Sequence, residues 1–164
     1  MTSAATTSRT GLTPKRLYRL LAIAEAITWT LLIVAMVAKY AFDLDALVPV
    51  AGPIHGFVFL SYAAMQLVVG QNQRWRVGTV LVGILTAVIP YATIPWERGL
   101  ARRGLLEGGW RTQASDDPRD ARWIDRAFRW GITHAVLAAV VVLALVAIAF
   151  VVLLNAGPPS EWFD

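Results

Sequence analysis

The sequence predicts an all-α integral membrane protein, a four-transmembrane-helix bundle. Three observations carry that prediction. The 164 residues are 57% hydrophobic and only 16% charged, where soluble domains carry about 25% charged residues. The charge is segregated, gathering at the N-terminus and in one loop. The apolar runs reach the length of about 20 residues that a bilayer crossing needs. Backbone facing lipid must satisfy its own hydrogen bonds, so the crossings are expected as helices.

Residues 1–16 are rich in Ser, Thr and Ala and carry Arg9, Lys15 and Arg16. They are expected to form a disordered basic tail. The first span is Leu17 to Tyr40, with Arg19 completing a basic collar at its start. Its apolar stretch is far longer than the roughly 7–15 residues of a signal-peptide core, so it is read as an uncleaved anchor. Asp43, Asp45, Pro49, Gly52 and Pro53 then interrupt the helix. A second span follows from Ile54 to Val69, and a polar turn from Gly70 to Arg74. The third span is placed at Val77 to Ile94. Pro90 and Pro95 lie near its end and predict a kink or an early stop. Residues 17–95 thus make a three-helix membrane core.

Residues 96–131 form a charged loop with eight Arg, six acids, Trp110, Trp123 and Trp130. Within it Asp120 to Trp130 could form an interfacial helix, with Trp123, Ala127 and Trp130 on one side at headgroup level. The fourth helix occupies residues 132–155, and its apolar run Ile132 to Leu154 carries no charge. Residues 156–164 are an acidic tail with Glu161 and Asp164.

Orientation is frustrated in this scheme. The basic N-terminus belongs in the cytoplasm, but four crossings would then put the Arg-rich loop outside. A re-entrant Val77 to Ile94 would bring tail, turn and loop to one side. It would need shelter from protein for its non-helical backbone. Four full spans are preferred for that reason.

A pI near 10.0 would point to nucleic acid in a soluble protein. Here it is assigned to Arg beside anionic headgroups, with the lipid bilayer as partner and no nucleic acid. There is no cysteine, which excludes disulfides, thiol catalysis and Cys-based metal sites. No cofactor is expected, and no catalytic motif is present.

The candidate functional residues are the polar groups inside or at the ends of the spans. Glu25 is first, because an intramembrane acid is costly and faces protein or water. Tyr18, Leu21, Glu25, Trp29, Leu32, Met36 and Lys39 share a stripe of the first helix. Depth places Gln66 and Thr86 level with Glu25. Two roles fit it: interhelical glue, or proton relay and ligand contact. On the second helix His55, Phe59, Tyr62 and Gln66 share one face, which is expected to point into the bundle. His55 could equally be a helix-end residue bonded to backbone or water. Four full crossings would set Lys39, His55, Glu97 and His134 on one surface as a polar cap. A metal site there has no recognisable ligand spacing.

Several of these residues carry a resemblance. Ala24-Glu25-Ala26, Lys39-Tyr40, Gly52-Pro53-Ile54-His55-Gly56, Ile89-Pro90-Tyr91 and Glu97-Arg98 resemble the DUF3817 family of small bacterial integral membrane proteins, sometimes described as YdzA-like. The likeness covers about Leu17 to Arg103. It implies a three-helix core, with the fourth helix as an extra, and marks Glu25, Lys39, His55 and Pro90 as pattern residues. It implies no activity.

The expected function is therefore a non-catalytic subunit or assembly factor in the bacterial plasma membrane, multi-pass, acting through helix contacts. Its partner would be a membrane protein or a second copy of itself. The alternative is a proton-coupled or small-solute carrier, working as a homo-oligomer with Glu25 and His55 in the path.

Overall fold

The computed structural model describes residues 12–156. Among them every regular element is helical: α1 (Pro14–Phe42), α2 (Val48–Asn72), α3 (Val77–Thr86), α4 (Thr93–Arg102), α5 (Trp123–Thr133) and α6 (Ala135–Asn155), with short 3-10 turns at Asp45–Leu47 and Pro118–Ala121. Three stretches are long and apolar enough to cross a membrane: Pro14–Phe42, Asp45–Asn72 and Val136–Leu153. The tail at 1–11 and the acidic end at 157–164 lie outside the described residues.

α1 starts where its sequence supplies a cap. The Thr13 hydroxyl accepts from Arg16 N at 3.2 Å, and Pro14 opens the first turn, where a missing N–H costs nothing. It stops at Asp43, which adopts a left-handed φ of 55°, while Leu44 N bonds back to Ala38 O at 3.1 Å. The chain then runs back beside the last turns of α1. Lys39 Nζ meets Asp45 Oδ1 at 3.4 Å there. α2 therefore begins well short of the level at which α1 ends.

The expected third span is divided. α3 has 10 residues, about 15 Å at 1.5 Å per residue, half a bilayer core. Pro90 has no N–H to continue it, and Tyr91 turns the chain with a φ of 65°. Pro95 falls in the first turn of α4, where it is tolerated. The hairpin enters and leaves at one end of the bundle. At its tip Trp29 Nε1 donates to Ala87 O at 3.0 Å, and Thr30 meets the Tyr91 hydroxyl at 3.2 Å. On the way back Thr93 Oγ1 donates to Ala22 O at 3.1 Å and Arg19 pairs with Glu97 at 3.0 Å. Lys15 then pairs with Glu107 at 2.6 Å. These contacts step from the middle of α1 back to its N-terminus.

Glycine permits the hairpin to seat. A Cβ on Gly83 would overlap the Gln66 side-chain amide, and one on Gly70 would come within 2.6 Å of Val80 Cγ2. α6 packs on α2 through Phe150. Its ring lies 3.3 Å from where a Gly56 Cβ would be and meets Phe57 edge-on at 6.0 Å.

The burial pattern is inverted relative to a soluble protein. Glu25, Gln66 and Thr93 are fully buried, while Leu20, Ile27, Val34, Leu81, Val140 and Leu145 are exposed. The small apolar core of Tyr18, Ala22, Tyr62, Val69, Ala87, Leu100 and Leu106 sits where α1, α2 and the hairpin meet.

Candidate functional site

Two polar constellations follow from this packing. The first lies inside the bundle. Glu25 is 0% exposed. The His55 ring faces it from α2, with Nδ1 3.9 Å from Glu25 Oε2. Thr28 holds the ring to α1: its hydroxyl donates to the backbone carbonyl of Glu25 at 3.1 Å and lies 3.1 Å from His55 Nδ1. The contact at Nδ1 fixes the ring, with Thr28 donating or accepting there according to the imidazole tautomer. Trp29 packs on the other side of the ring, 4.5 Å between centroids.

One to two turns nearer the N-terminus of α1 the groups form a directed chain. Gln66 Nε2 donates to Tyr18 OH at 2.5 Å, and the Tyr18 and Tyr62 hydroxyls are 3.2 Å apart. Tyr62 OH lies 3.5 Å from Thr86 Oγ1, which donates to Gly83 O at 2.6 Å. Because Thr86 spends its proton on Gly83, each hydroxyl donates in the same direction: Gln66 to Tyr18 to Tyr62 to Thr86. Both carboxylate oxygens of Glu25 and Oε1 of Gln66 are buried without a hydrogen-bond partner. Buried polar atoms are paired in the great majority of cases, so these three acceptors mark the site.

The stripe on α2 faces inward as expected, but its register does not. Gln66 meets Tyr18 instead of Glu25, and His55 takes the level of Glu25. The cause is the returning segment after Asp43, which lowers the start of α2 along α1.

The second constellation ties the charged loop to the end of α2. Asp120 Oδ1 accepts from Arg74 at 2.7 Å, Arg129 at 2.8 Å and Arg111 at 3.1 Å. Its Oδ2 accepts from the Ser115 hydroxyl at 2.6 Å and N–H at 2.8 Å. Arg111 also donates to Asn72 O and Gln71 O, each at 2.8 Å, and to Asp125 at 3.0 Å. The Ser115 hydroxyl and N–H, then Arg74, hold the Asp120 carboxyl well below the usual carboxylate range. Asp117 pairs with Arg74 and is brought down to about 2, chiefly by the side-chain and backbone donors of Arg119. The sequence held little hint of this network, because its members are ordinary charges until the loop folds.

The expected cap of Lys39, His55, Glu97 and His134 is not assembled. Lys39 stays at the far end of α1 with Asp45. Glu97 pairs with Arg19 near the opposite end, about 30 Å away along α1 at 1.5 Å per residue. His55 is interior. His134 is exposed at the α5–α6 junction, stacked on Trp130 at 4.6 Å. The fold-back of α3–α4 is the reason, since it returns Glu97 and the start of α6 to the end from which α1 sets out. The amphipathic helix in the loop is present as α5. Its Asp125 is buried, and Trp123 and Trp130 are exposed.

Residues 15–102 match the family model of a domain of unknown function, DUF3817. The chain belongs to the DUF3817 family. The matched segment ends with α4, so this DUF3817 unit comprises α1, α2 and the folded-back hairpin, and both Glu25 and His55 lie within it. A Streptomyces coelicolor protein named as a candidate membrane protein is 36% identical over 93 residues, covering 56% of this chain and 11% of that relative. This chain therefore spans a small part of the relative's length. No solved structure matches. The DUF3817 protein described here is a membrane protein with three helices able to cross a bilayer.

Proposed function

We propose that this DUF3817 protein is a multi-pass, non-catalytic module of the bacterial plasma membrane that acts through helix contacts. In this reading α1, α2 and α6 cross the bilayer and α3–α4 re-enters from the cytoplasmic side. The observation that carries the topology is the distribution of cations. Every Lys and Arg among the described residues except Lys39 lies toward one end of the bundle, in the first turns of α1, the α2–α3 turn, α4 and the loop. The positive-inside rule then has one solution, with that end in the cytoplasm. Trp29 Nε1 satisfies Ala87 O at the turn and Tyr62 reaches Thr86, part of the shelter that a re-entrant backbone requires, while Val88, Ile89 and Tyr91 at the tip are exposed.

The contact role is supported by the α2–α6 groove. Gly52, Pro53, Gly56, Phe59, Leu60, Phe150 and Leu153 line an apolar space of about 330 Å³. A Cβ on Gly52 would meet nothing within 4 Å. Gly52 and Gly56 have the four-residue spacing that lets helices approach closely; Phe150 of α6 already takes the Gly56 position, and Gly52 stays open. The likeness to a small part of a much longer chain also fits a module that works attached to a larger partner. The chain has no cysteine, so Gly52→Cys places a single thiol in this groove. Oxidation in native membranes should yield a discrete crosslinked species, either a dimer or a heteromer. A chain that stays monomeric under oxidant while its thiol still reacts with a small maleimide would end the contact reading.

A second reading, the homo-oligomeric carrier, is favoured by the unpartnered Glu25 carboxylate beside His55. Intramembrane acids in such positions serve proton and ion paths.

A further inference from the structure

We propose that Glu25 and His55 form a binding site for one proton, held between the carboxylate and the imidazole, with Thr28 fixing the ring. The site is independent of the contact role, and it underlies the carrier reading without requiring transport.

Three features of the interior lead there. Both Glu25 oxygens are buried and without a donor. What they lack is a donor, because an ionised carboxylate only accepts, and a proton on the carboxyl removes that need for one of the two oxygens. The side chain in reach is His55, and its Nδ1 at 3.9 Å is too far for a hydrogen bond. A small rotation of the carboxyl or one bridging water would close that gap. The imidazole is also held on three sides, by Thr28 at Nδ1, by Trp29 on one face and by Phe59 at 6.5 Å. It is oriented, not loosely packed.

The surroundings make the pair separate from the rest of the charge. The titratable group acting on it from α2 is Tyr62, with Tyr18 of α1 bonded behind it. α3 and α4 contribute the hydroxyls of Thr86 and Thr93. α6 has no titratable side chain. The next ion pair is Arg19–Glu97, six residues or about 9 Å along α1 from Glu25. A proton taken up at the pair is therefore not shared with a wider ion network, and it changes the contact between α1 and α2 directly.

Trp29 supplies the readout. Its ring touches His55, and a protonated imidazole in contact with indole quenches its emission. The full chain in lipid nanodiscs is titrated over about pH 5–8, the range in which histidine commonly titrates. Subtracting a Trp29→Phe trace isolates the Trp29 signal. One single-proton quench is expected, absent in His55→Asn. Glu25→Gln keeps the shape of the side chain and should move the midpoint by roughly one pH unit or more. Should that variant fail to assemble, Glu25→Asp withdraws the carboxyl by one methylene and should move it too. A midpoint unchanged by both, or no titration in the wild type, overturns the proposal. A Trp29 signal that follows sodium concentration at fixed pH would overturn it in favour of a metal-cation site. Proton binding without proton flux in liposomes would leave this site standing and end the proton-coupled carrier reading alone.

Discussion

Gln66 donates to the Tyr18 hydroxyl at 2.5 Å across the α1–α2 interface, with both side chains fully buried. This bond marks the register of the two helices and begins the chain through Tyr62 to Thr86. Tyr18→Phe would keep the ring packing, including the contact with Trp75 at 6.0 Å, and leave Gln66 without its acceptor. Interhelical hydrogen bonds in membranes average about 0.6 kcal/mol and reach about 1.7. A loss near the upper figure is expected, because the amide is left buried and unpaired. Thermal unfolding in mild detergent measures it, and an unchanged midpoint would refute the role.

Gly83→Ala should destabilise by about 1–3 kcal/mol, the usual cost of overpacking. The added methyl would overlap the Gln66 amide. Gln66→Ala in the same chain should recover part of the loss, since neighbouring substitutions are not additive. Additive effects of the pair would show that Gly83 acts elsewhere.

Asp120→Asn should loosen the charged loop without unfolding the bundle. It weakens the bonds to Arg74, Arg111 and Arg129 together. Trypsin should then cut after Arg119 and Arg122 several-fold faster than in the wild type. Equal digestion rates would mean that the loop is held by other contacts.

The same network predicts an acid transition. Asp117 and Asp120 are both depressed on folding, Asp117 to about 2. A depressed carboxyl stabilises the folded loop above its unfolded value of about 4, and that contribution is lost as pH falls toward 2. The near-UV dichroism of the tryptophans should change across this window. Asp117→Asn should flatten part of the change, and a profile identical to the wild type would exclude Asp117 as a cause.

Single cysteines test the hairpin. Asp43→Cys and Gln113→Cys should react with a membrane-impermeant maleimide from opposite sides of the membrane, and Arg76→Cys should follow Gln113→Cys. Four full crossings would put residues 43 and 113 on the same side.

Much of the architecture was legible in the chain. The stripe holding Tyr18, Glu25 and Trp29, and that holding His55, Tyr62 and Gln66, are set by helical spacing, so their inward faces follow from sequence. Pro90 marked where α3 would stop. The pairing of Glu25 with His55 was not legible. It depends on how far the chain returns along α1 after Asp43, a matter of five residues whose composition only says that a helix has ended. The division of the expected third span was only partly legible: Pro90 marks the stop, but the contacts of Trp29 and Thr30 with Ala87 and Tyr91 that seat the hairpin on α1 are invisible in a linear reading.

By itself the sequence determined the apolar runs, the inward stripes and the family, because each is written in local spacing and composition. The tertiary structure alone decided that α3–α4 turns back, that thirteen scattered cations among the described residues gather at one end, and that a buried acid meets a histidine 30 positions away. Those outcomes rest on the register between helices, which no single segment encodes. It is set by long-range packing at Gly70, Gly83 and Tyr18, where backbone approach and buried hydrogen bonds admit one arrangement.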